Sequence, residues 1–425
     1  MHPWKDALRP SVLRCRILAP YVPLRAEGSE SVSATDALQK YADGGKMNQP
    51  IRILHVLGST NLGGAESRIM DLYRHIDREK IQFDFLVHST KEGFFEPEIR
   101  QLGGNIYRLP SFRAYNYLKY KKACRDFFAA HKEFAAVQGH MTSTASIYLP
   151  QAKKSGIPTT IAHARSAGVD KGLKGFLTKL LRRNLYRKCD YMFACSDLAA
   201  RAVFGDKRFE EGKTVFIPNA VDINEFAPDD SMRVAIRAEY GLENNFVIGH
   251  VGRFHYAKNH EFLLEIFAKI REKKPDAKLF LLGDGPLRVQ TEELAKSLNI
   301  EKDVIFAGNK NPIAPFYQAF DAFLFPSRFE GMPGTVVEAQ AAGLPCLISD
   351  AITTQVKATE LVRFLSLRET GNTWASNFLN LIEEVERKVI EGESSALENT
   401  FYDVNYQVKC YEQFYLTGDI TKLKK

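Results

Sequence analysis

The stretch Ile51-Arg52-Ile53-Leu54-His55-Val56-Leu57-Gly58-Ser59-Thr60-Asn61-Leu62-Gly63-Gly64 decides the architecture. A short apolar run stops at Gly58, and Ser59 to Gly64 is rich in turn-forming residues. From Ala65 to Ile76 the spacing becomes helical, with Ile69, Leu72, Tyr73 and Ile76 on one side. Strand, glycine loop and helix in that order open a parallel α/β unit. Further buried strands are expected at Phe83–Val87, Ala135–Gln138, Thr159–His163, Tyr191–Cys195 and Thr214–Ile217, with helical stretches between them.

A second series starts at Phe246–Gly252 and continues through Lys278–Gly283, Val304–Gly308, Ala322–Phe325 and Pro345–Ile348. His260–Lys273 has Phe262, Leu263, Ile266, Phe267 and Ile270 at helical spacing. Two successive series of this kind predict two doubly wound α/β domains, joined near Ile217-Pro218-Asn219-Ala220-Val221-Asp222. A ligand between them would lie at the carboxyl ends of the strands.

The chain has 425 residues, 45% hydrophobic and 26% charged, which excludes a disordered, collagen-like or low-complexity protein. Lys+Arg number 58 against 51 Asp+Glu, for a net charge of +7. That mild bias suits a phosphate-bearing ligand or an anionic membrane surface, and no nucleic-acid partner is expected. Cys15, Cys124, Cys189, Cys195, Cys346 and Cys410 are scattered and form no CxxC pair. Neither a zinc site nor a disulfide framework is indicated, and a reducing cytoplasmic setting is the default. No run of roughly 18 apolar residues offers a membrane span. Residues 1–50 lack the apolar core of a signal peptide and carry too many acids for a transit peptide. They read as a poorly ordered tail, or as sequence upstream of a start at Met47.

Three loops carry candidate chemistry. In Phe329-Glu330-Gly331-Met332-Pro333-Gly334-Thr335-Val336-Val337-Glu338 two carboxylates flank a Gly/Pro loop that opens a helix. Unsatisfied amides near Gly334 and Thr335 would make an anion site aided by the helix dipole. Glu338 could accept from ribose hydroxyls and Glu330 could face whatever the phosphate carries; equally, Glu338 could be a plain first-turn acid and Glu330 a solvated one. Arg253 and Lys258 bracket the loop after the strand ending at Gly252, where two cations can neutralise a diphosphate or simply be solvated. Gly63 and Gly64 let backbone amides approach a ligand closely, or only make a tight turn. The loop is neither GxGxxG nor a Walker sequence.

Taken together, the chain resembles glycosyltransferase family 4, retaining enzymes of GT-B architecture, from about Ile51 to Tyr415. The residues that carry the resemblance are Leu62–Glu66, Ile217–Asp222, Gly252-Arg253 with Lys258-Asn259, Leu282–Pro286, and Phe325-Pro326-Ser327 with Glu330 through Glu338. Ile161–Arg165, Lys171–Phe176 and Thr359–Leu367 resemble the branch that builds capsular and exopolysaccharides.

The resemblance implies an N-terminal acceptor-side domain over 51–218, a nucleotide-sugar domain over 219–400, and a last helix in 401–425 crossing back onto the first domain. It implies that Glu330 touches the donor sugar, Glu338 the ribose, and Arg253 and Lys258 the diphosphate, with Gly63-Gly64 closing over the phosphates. His140 falls where the family places a histidine on the donor sugar, although Gln138 and Met141-Thr142 depart from the family's usual His-x-His-Glu-Pro. The base would lie near Gly308-Asn309-Lys310. The implied reaction moves a hexose from a nucleotide sugar, UDP-linked by expectation, to a saccharide hydroxyl on a lipid carrier. No Asp-x-Asp occurs, so neither a metal nor another cofactor is expected, and Arg253, Lys258 and helix amides would stabilise the leaving group. Attack on the same face as departure follows for a retaining enzyme without a clear nucleophile.

Lys171–Lys188 holds seven cations and no acid, with Leu173, Phe176, Leu177, Leu180 and Leu181 at helical spacing. It reads as a helix docking on anionic lipid, at the inner face of the plasma membrane, or as one covering its own sheet. Tyr115, Tyr117 and Tyr120 among Lys119, Lys121, Lys122 and Arg125 would extend that face or be plain exposed helix. The rival functions are a nucleotide-sugar epimerase of the same shape and a non-catalytic scaffold that binds nucleotide sugar.

Overall fold

The computed structural model describes residues 49–166, 168, 172–386 and 397–424. The tail expected over 1–50 therefore lies outside the described residues except for Gln49 and Pro50, as does Lys171 of the basic segment. Strands β1 (Ile51–Leu57), β2 (Ile81–Val87), β3 (Ile106–Arg108), β4 (Phe134–Gly139), β5 (Thr159–Ala164), β6 (Tyr191–Ala194) and β7 (Thr214–Phe216) form one sheet, ordered β3-β2-β1-β4-β5-β6-β7. A second sheet holds β8 (Phe246–Val251), β9 (Ala277–Leu282), β10 (Val304–Gly308), β11 (Ala322–Phe325), β12 (Cys346–Ser349) and β13 (Val362–Leu365), ordered β10-β9-β8-β11-β12-β13. Every strand pairing is parallel.

Both sheets reverse direction of winding beside their first strand, between β1 and β4 and between β8 and β11. In doubly wound sheets that switch point is where loops on neighbouring strands part and leave a crevice for a ligand. Three of the five helices that matter most here are α1 (Gly64–His75), α2 (Tyr117–Ala130) and α3 (Gly172–Arg182). The others are α4 (Gly334–Ala341) and α5 (Val404–Thr417).

Helix α1 starts at extended Gly63, carries Glu66 in its first turn and Arg74 and His75 in its last, and buries Ile69, Met70, Leu72 and Tyr73 against the first sheet. Charges at both ends oppose the helix dipole, while the apolar stripe supplies the packing. The sequence reading misses β3 and β13. Both are edge strands of three or four residues, each with one arginine among its apolar side chains.

Helix α5 packs in the first sheet's core although it follows the second sheet in sequence. Val404, Val408, Tyr411, Phe414 and Tyr415 are buried among Ile51, Ile53, Phe83 and Phe85. Burial of each such side chain is worth about 1.5–3 kcal/mol. Glu412 accepts from the Asp77 amide at 2.8 Å, and Gln407 donates to the Pro218 carbonyl at 3.0 Å. Tyr415 donates to buried Gln138, whose amide meets His163 Nδ1 at 2.9 Å. The same helix thus grips both the first lobe and the linker that leaves it.

Candidate active site

The loop after β8 is fixed from two sides. Gly283, at φ 133 after β9, sits where a side chain would strike the Gly252 carbonyl. Asn259, in the left-handed region at φ 58, donates Nδ2 to the Pro326 carbonyl at 3.0 Å. That bond joins the β8 loop to the segment after β11. Lys258 lies along Gly252, its ammonium 4.5 Å from the centre of the Phe325 ring, and forms an ion pair with Glu330 Oε1 at 2.8 Å. The two side chains are only 15% and 19% exposed, so the pair is held rather than fleeting. Arg253 is exposed, and its guanidinium has no hydrogen bond or ion pair among the described residues. An anion arriving at the carboxyl end of β8 would therefore meet one free cation and one cation shared with a carboxylate.

Helix α4 begins behind Pro333, which has no side chain to cap it. The first amides, at Gly334 and Thr335, lack carbonyls four residues back and keep the positive end of the dipole. The Thr335 hydroxyl is shielded from solvent and has no hydrogen-bond partner. One turn on, Glu338 is buried with both oxygens engaged: Oε1 accepts from Arg68 Nη2 at 3.0 Å and Oε2 from the Tyr317 hydroxyl at 2.6 Å. Burial and the neighbouring carboxylate push the Tyr317 phenol well above its usual range, so it stays a donor. Ribose hydroxyls would have to share these oxygens. Asn309 is exposed just past the edge strand β10, and its side chain makes no hydrogen bond among the described residues.

The first lobe contributes its own switch point. Gly63 and Gly64 start α1, and at Gly64 a side chain would meet nothing within 4 Å. Open space lies in front of that backbone. Arg68, one turn later, pairs with Asp71 at 3.1 Å, donates to the Ala220 carbonyl at 3.0 Å, and reaches Glu338 across the lobes. Its Cδ is 3.8 Å from where a Gly334 side chain would begin. The amino ends of α1 and α4 therefore stand next to each other, both aimed at the inter-lobe crevice.

His140, directly after β4, stacks on His55 with Nε2 3.1 Å from His55 Nδ1. Arg165, directly after β5, donates Nε to His140 Nδ1 at 3.3 Å and Nη1 to Asn219 Oδ1 at 3.0 Å. Asn219 in turn donates to the Met332 carbonyl at 2.6 Å. Burial, and next the charge of Arg165, hold His55 down to about 3 and His140 well below its usual value; both are neutral. The structure thus joins Lys258 with Glu330, Glu338 with Arg68, and His140 with the Glu330–Gly334 loop through Arg165 and Asn219. Arg68, Arg165, Asn219 and Tyr317 are absent from the sequence-derived site. Arg165 and Asn219 do lie inside two of the stretches that carry the family resemblance.

A cavity of about 680 Å³ opens beside the crevice in the first lobe, lined by Gly58, His88, Phe112, Met141, Leu177 and Leu181. The last two come from α3, which ends at Arg182 and gives way to a short 3-10 turn over Leu185–Arg187. On its other side α3 exposes Phe176 and Leu180, at 66% and 53%. The apolar stripe of Lys171–Lys188 is thus divided between a cavity and solvent. Tyr115, just before α2, and Leu118 in its first turn are also largely exposed, whereas Tyr120 is buried on His88 at 2.7 Å. No helix among the described residues is long and apolar enough to cross a membrane.

Residues 62–225 match the family described as Glycosyltransferase Family 4, and residues 232–360 the one described as Glycosyl transferases group 1. EpsF of Bacillus subtilis (strain 168) is 37% identical over 329 residues, covering 76% of this chain and 86% of EpsF. The UDP-Gal:alpha-D-GlcNAc-diphosphoundecaprenol alpha-1,3-galactosyltransferase of Escherichia coli is 28% identical over 52% of this chain and 58% of its own. The capsular polysaccharide biosynthesis glycosyltransferase CapH of Staphylococcus aureus is 23% identical over 86% of this chain and 99% of its own. Among solved structures, Anabaena HepE in complex with UDP superposes with a TM-score of 0.69 at 20% identity, over 85% of this chain and 98% of that one.

Proposed function

The chain belongs to the family 4 glycosyltransferases of GT-B fold, and from that premise we propose that it transfers a hexose, with retention, from a UDP-sugar to a hydroxyl of a lipid-carried saccharide in capsule or exopolysaccharide synthesis. The observation that carries the proposal is the Lys258–Glu330 pair beside free Arg253 and the uncapped start of α4. In this reading Arg253 grips the diphosphate as a fork, Lys258 as a point charge, and the Gly334 and Thr335 amides add the helix dipole. As the sugar–phosphate bond breaks, negative charge grows on the departing phosphate, where those groups already stand. Glu330, held by Lys258, accepts from hydroxyls of the sugar. The incoming hydroxyl attacks from the side of departure and passes its proton to the leaving phosphate oxygen.

A UDP donor and a lipid diphosphate acceptor are supported by a relative: the E. coli enzyme is named for UDP-Gal and a diphosphoundecaprenol. The cavity beside Met141 and Leu181 is the acceptor's place in this reading. Exposed Phe176 and Leu180 beside exposed Lys179 and Arg183 make a face that suits an anionic membrane carrying the lipid end.

The test is a screen of UDP-, GDP- and ADP-sugars for thermal stabilisation and slow hydrolysis. A UDP-sugar at a hundred times its Kd should add about 2.7 kcal/mol of stability. Stabilisation by GDP- or ADP-sugars instead would refute the donor assignment. Interconversion of a UDP-sugar with no acceptor present would favour the epimerase.

A further inference from the structure

Arg165 is a cation for which the reading above has no use. Two of its nitrogens are engaged, by His140 and Asn219, but Nη2 is shielded from solvent and has no hydrogen-bond partner. No carboxylate among the described residues lies within ion-pair distance of it. A guanidinium keeps its charge at any working pH, and a shielded one without a counter-charge is costly to hold. Glu66, at the start of α1, is near enough for its carboxyl to feel Arg165, yet the two form no hydrogen bond or ion pair.

The imidazoles beside Arg165 serve the arginine. His140 Nδ1 accepts from Arg165, so the His140 proton sits on Nε2 and points to His55 Nδ1. Both ring nitrogens of His140 are then used within the protein. The backbone of Arg165 is pressed against the acidic loop: a side chain at Gly331 would begin 2.5 Å from the Arg165 carbonyl. Asn219 bonds the guanidinium and the Met332 carbonyl at once. The free nitrogen thus stands at the seam between the end of β5 and the loop carrying Glu330.

We propose that Arg165 is an anion-binding residue of the transfer site, its Nη2 taking an oxyanion of the donor. His140 and His55 are positioning residues that hold the guanidinium rather than groups that touch the sugar. The inference rests on the nucleotide-sugar reading. The oxyanion is a phosphate oxygen of the leaving diphosphate or a carboxylate on the transferred sugar; both offer a guanidinium the same charge-assisted hydrogen bond.

The test is calorimetric titration of the full chain with UDP, UDP-glucose, UDP-glucuronate and inorganic pyrophosphate, in wild type, Arg165→Gln and Arg165→Lys. Arg165→Gln should weaken UDP, UDP-glucose and pyrophosphate roughly tenfold or more. If only UDP-glucuronate is weakened, the oxyanion is the sugar carboxylate. His140→Ala should weaken the same probes less, should add nothing on top of Arg165→Gln, and should be rescued by His140→Gln, whose amide oxygen can accept from Nε. Should Arg165→Gln not fold, Arg165→Lys decides, since a point charge cannot keep both protein bonds and reach the ligand. Unchanged affinity for all four probes in the folded variant overturns the inference alone. Wild-type protein that binds none of them overturns the nucleotide-sugar reading and this inference together.

Discussion

At the scale of single residues, Arg253 and Lys258 stand, in the proposed reading, against a leaving diphosphate, and removing such a charge should be felt in turnover. Lys258→Ala takes away the cation nearest Glu330. It should lower kcat by about 10²–10³, as removal of one preorganised donor to a developing oxyanion does. Glu330→Gln keeps the shape and loses the counter-charge, so UDP should bind as well or better while transfer falls; a steady-state assay separates the two. The buried histidines predict a pH response. Burial holds His55 and His260 down to about 3 and keeps His163 and His250 well below the usual histidine value. The unfolded chain takes up those protons near pH 6.5. Stability is therefore full above that pH and lost as pH falls from about 6.5 toward 3, by up to about 1.4 kcal/mol per pH unit for each such histidine. His75 acts in the opposite sense, raised by its bond to Asp222, but it is one partly exposed group against His55, His88, His163, His250 and His260, all buried and lowered. Thermal melts across pH should show the loss beginning above the carboxylate range. Lys258, Arg253 and Glu330 were conspicuous in sequence because glycine and proline mark their loops. Arg68 and Arg165 were not. Each is one of 58 basic residues, and the partner that gives Arg68 its meaning stands 270 positions away.

At the scale of elements, α3 is the segment whose role divides. Leu177 and Leu181 turn to the cavity and Phe176 and Leu180 to solvent. Reversing Lys179 and Arg183 to Glu should weaken sedimentation with phosphatidylglycerol vesicles by about 1 kcal/mol per cation replaced, and twice that for the reversal. Phe176→Ser with Leu180→Ser should weaken it further and leave hydrolysis of the donor untouched. Unchanged sedimentation in both variants removes the membrane surface from the account. The loop ahead of α4 is sterically set by the end of β5: Gly331→Ala puts a carbon 2.5 Å from a carbonyl and must move the loop. Its kcat should fall more than its stability. The long strands were plain in sequence because buried parallel strands read as continuous apolar runs. β3 and β13 escaped because a short edge strand needs little apolar surface. The division of α3 escaped because periodicity marks a stripe without saying what lies in front of it.

At the scale of the whole molecule, two lobes meet through several polar contacts, and Arg68 makes two of them. Its guanidinium links α1 to the linker carbonyl at Ala220 and to Glu338 of the second lobe. Arg68→Ala would leave Glu338 buried with Tyr317 alone, a loss of about 3 kcal/mol in chemical denaturation. Helix α5 ties the same linker to the first lobe from behind. Sequence order alone suggested two successive sheets. That each lobe supplies a helix start, side by side across the junction, required the packed molecule. The central claim is that this junction binds a nucleoside diphosphate through Arg253 and Lys258. Calorimetric titration with UDP tests it most directly. The account predicts saturable binding to the wild-type chain and at least about tenfold weaker binding to Arg253→Ala and to Lys258→Ala at unchanged melting temperature. Equal affinity in all three proteins would contradict it.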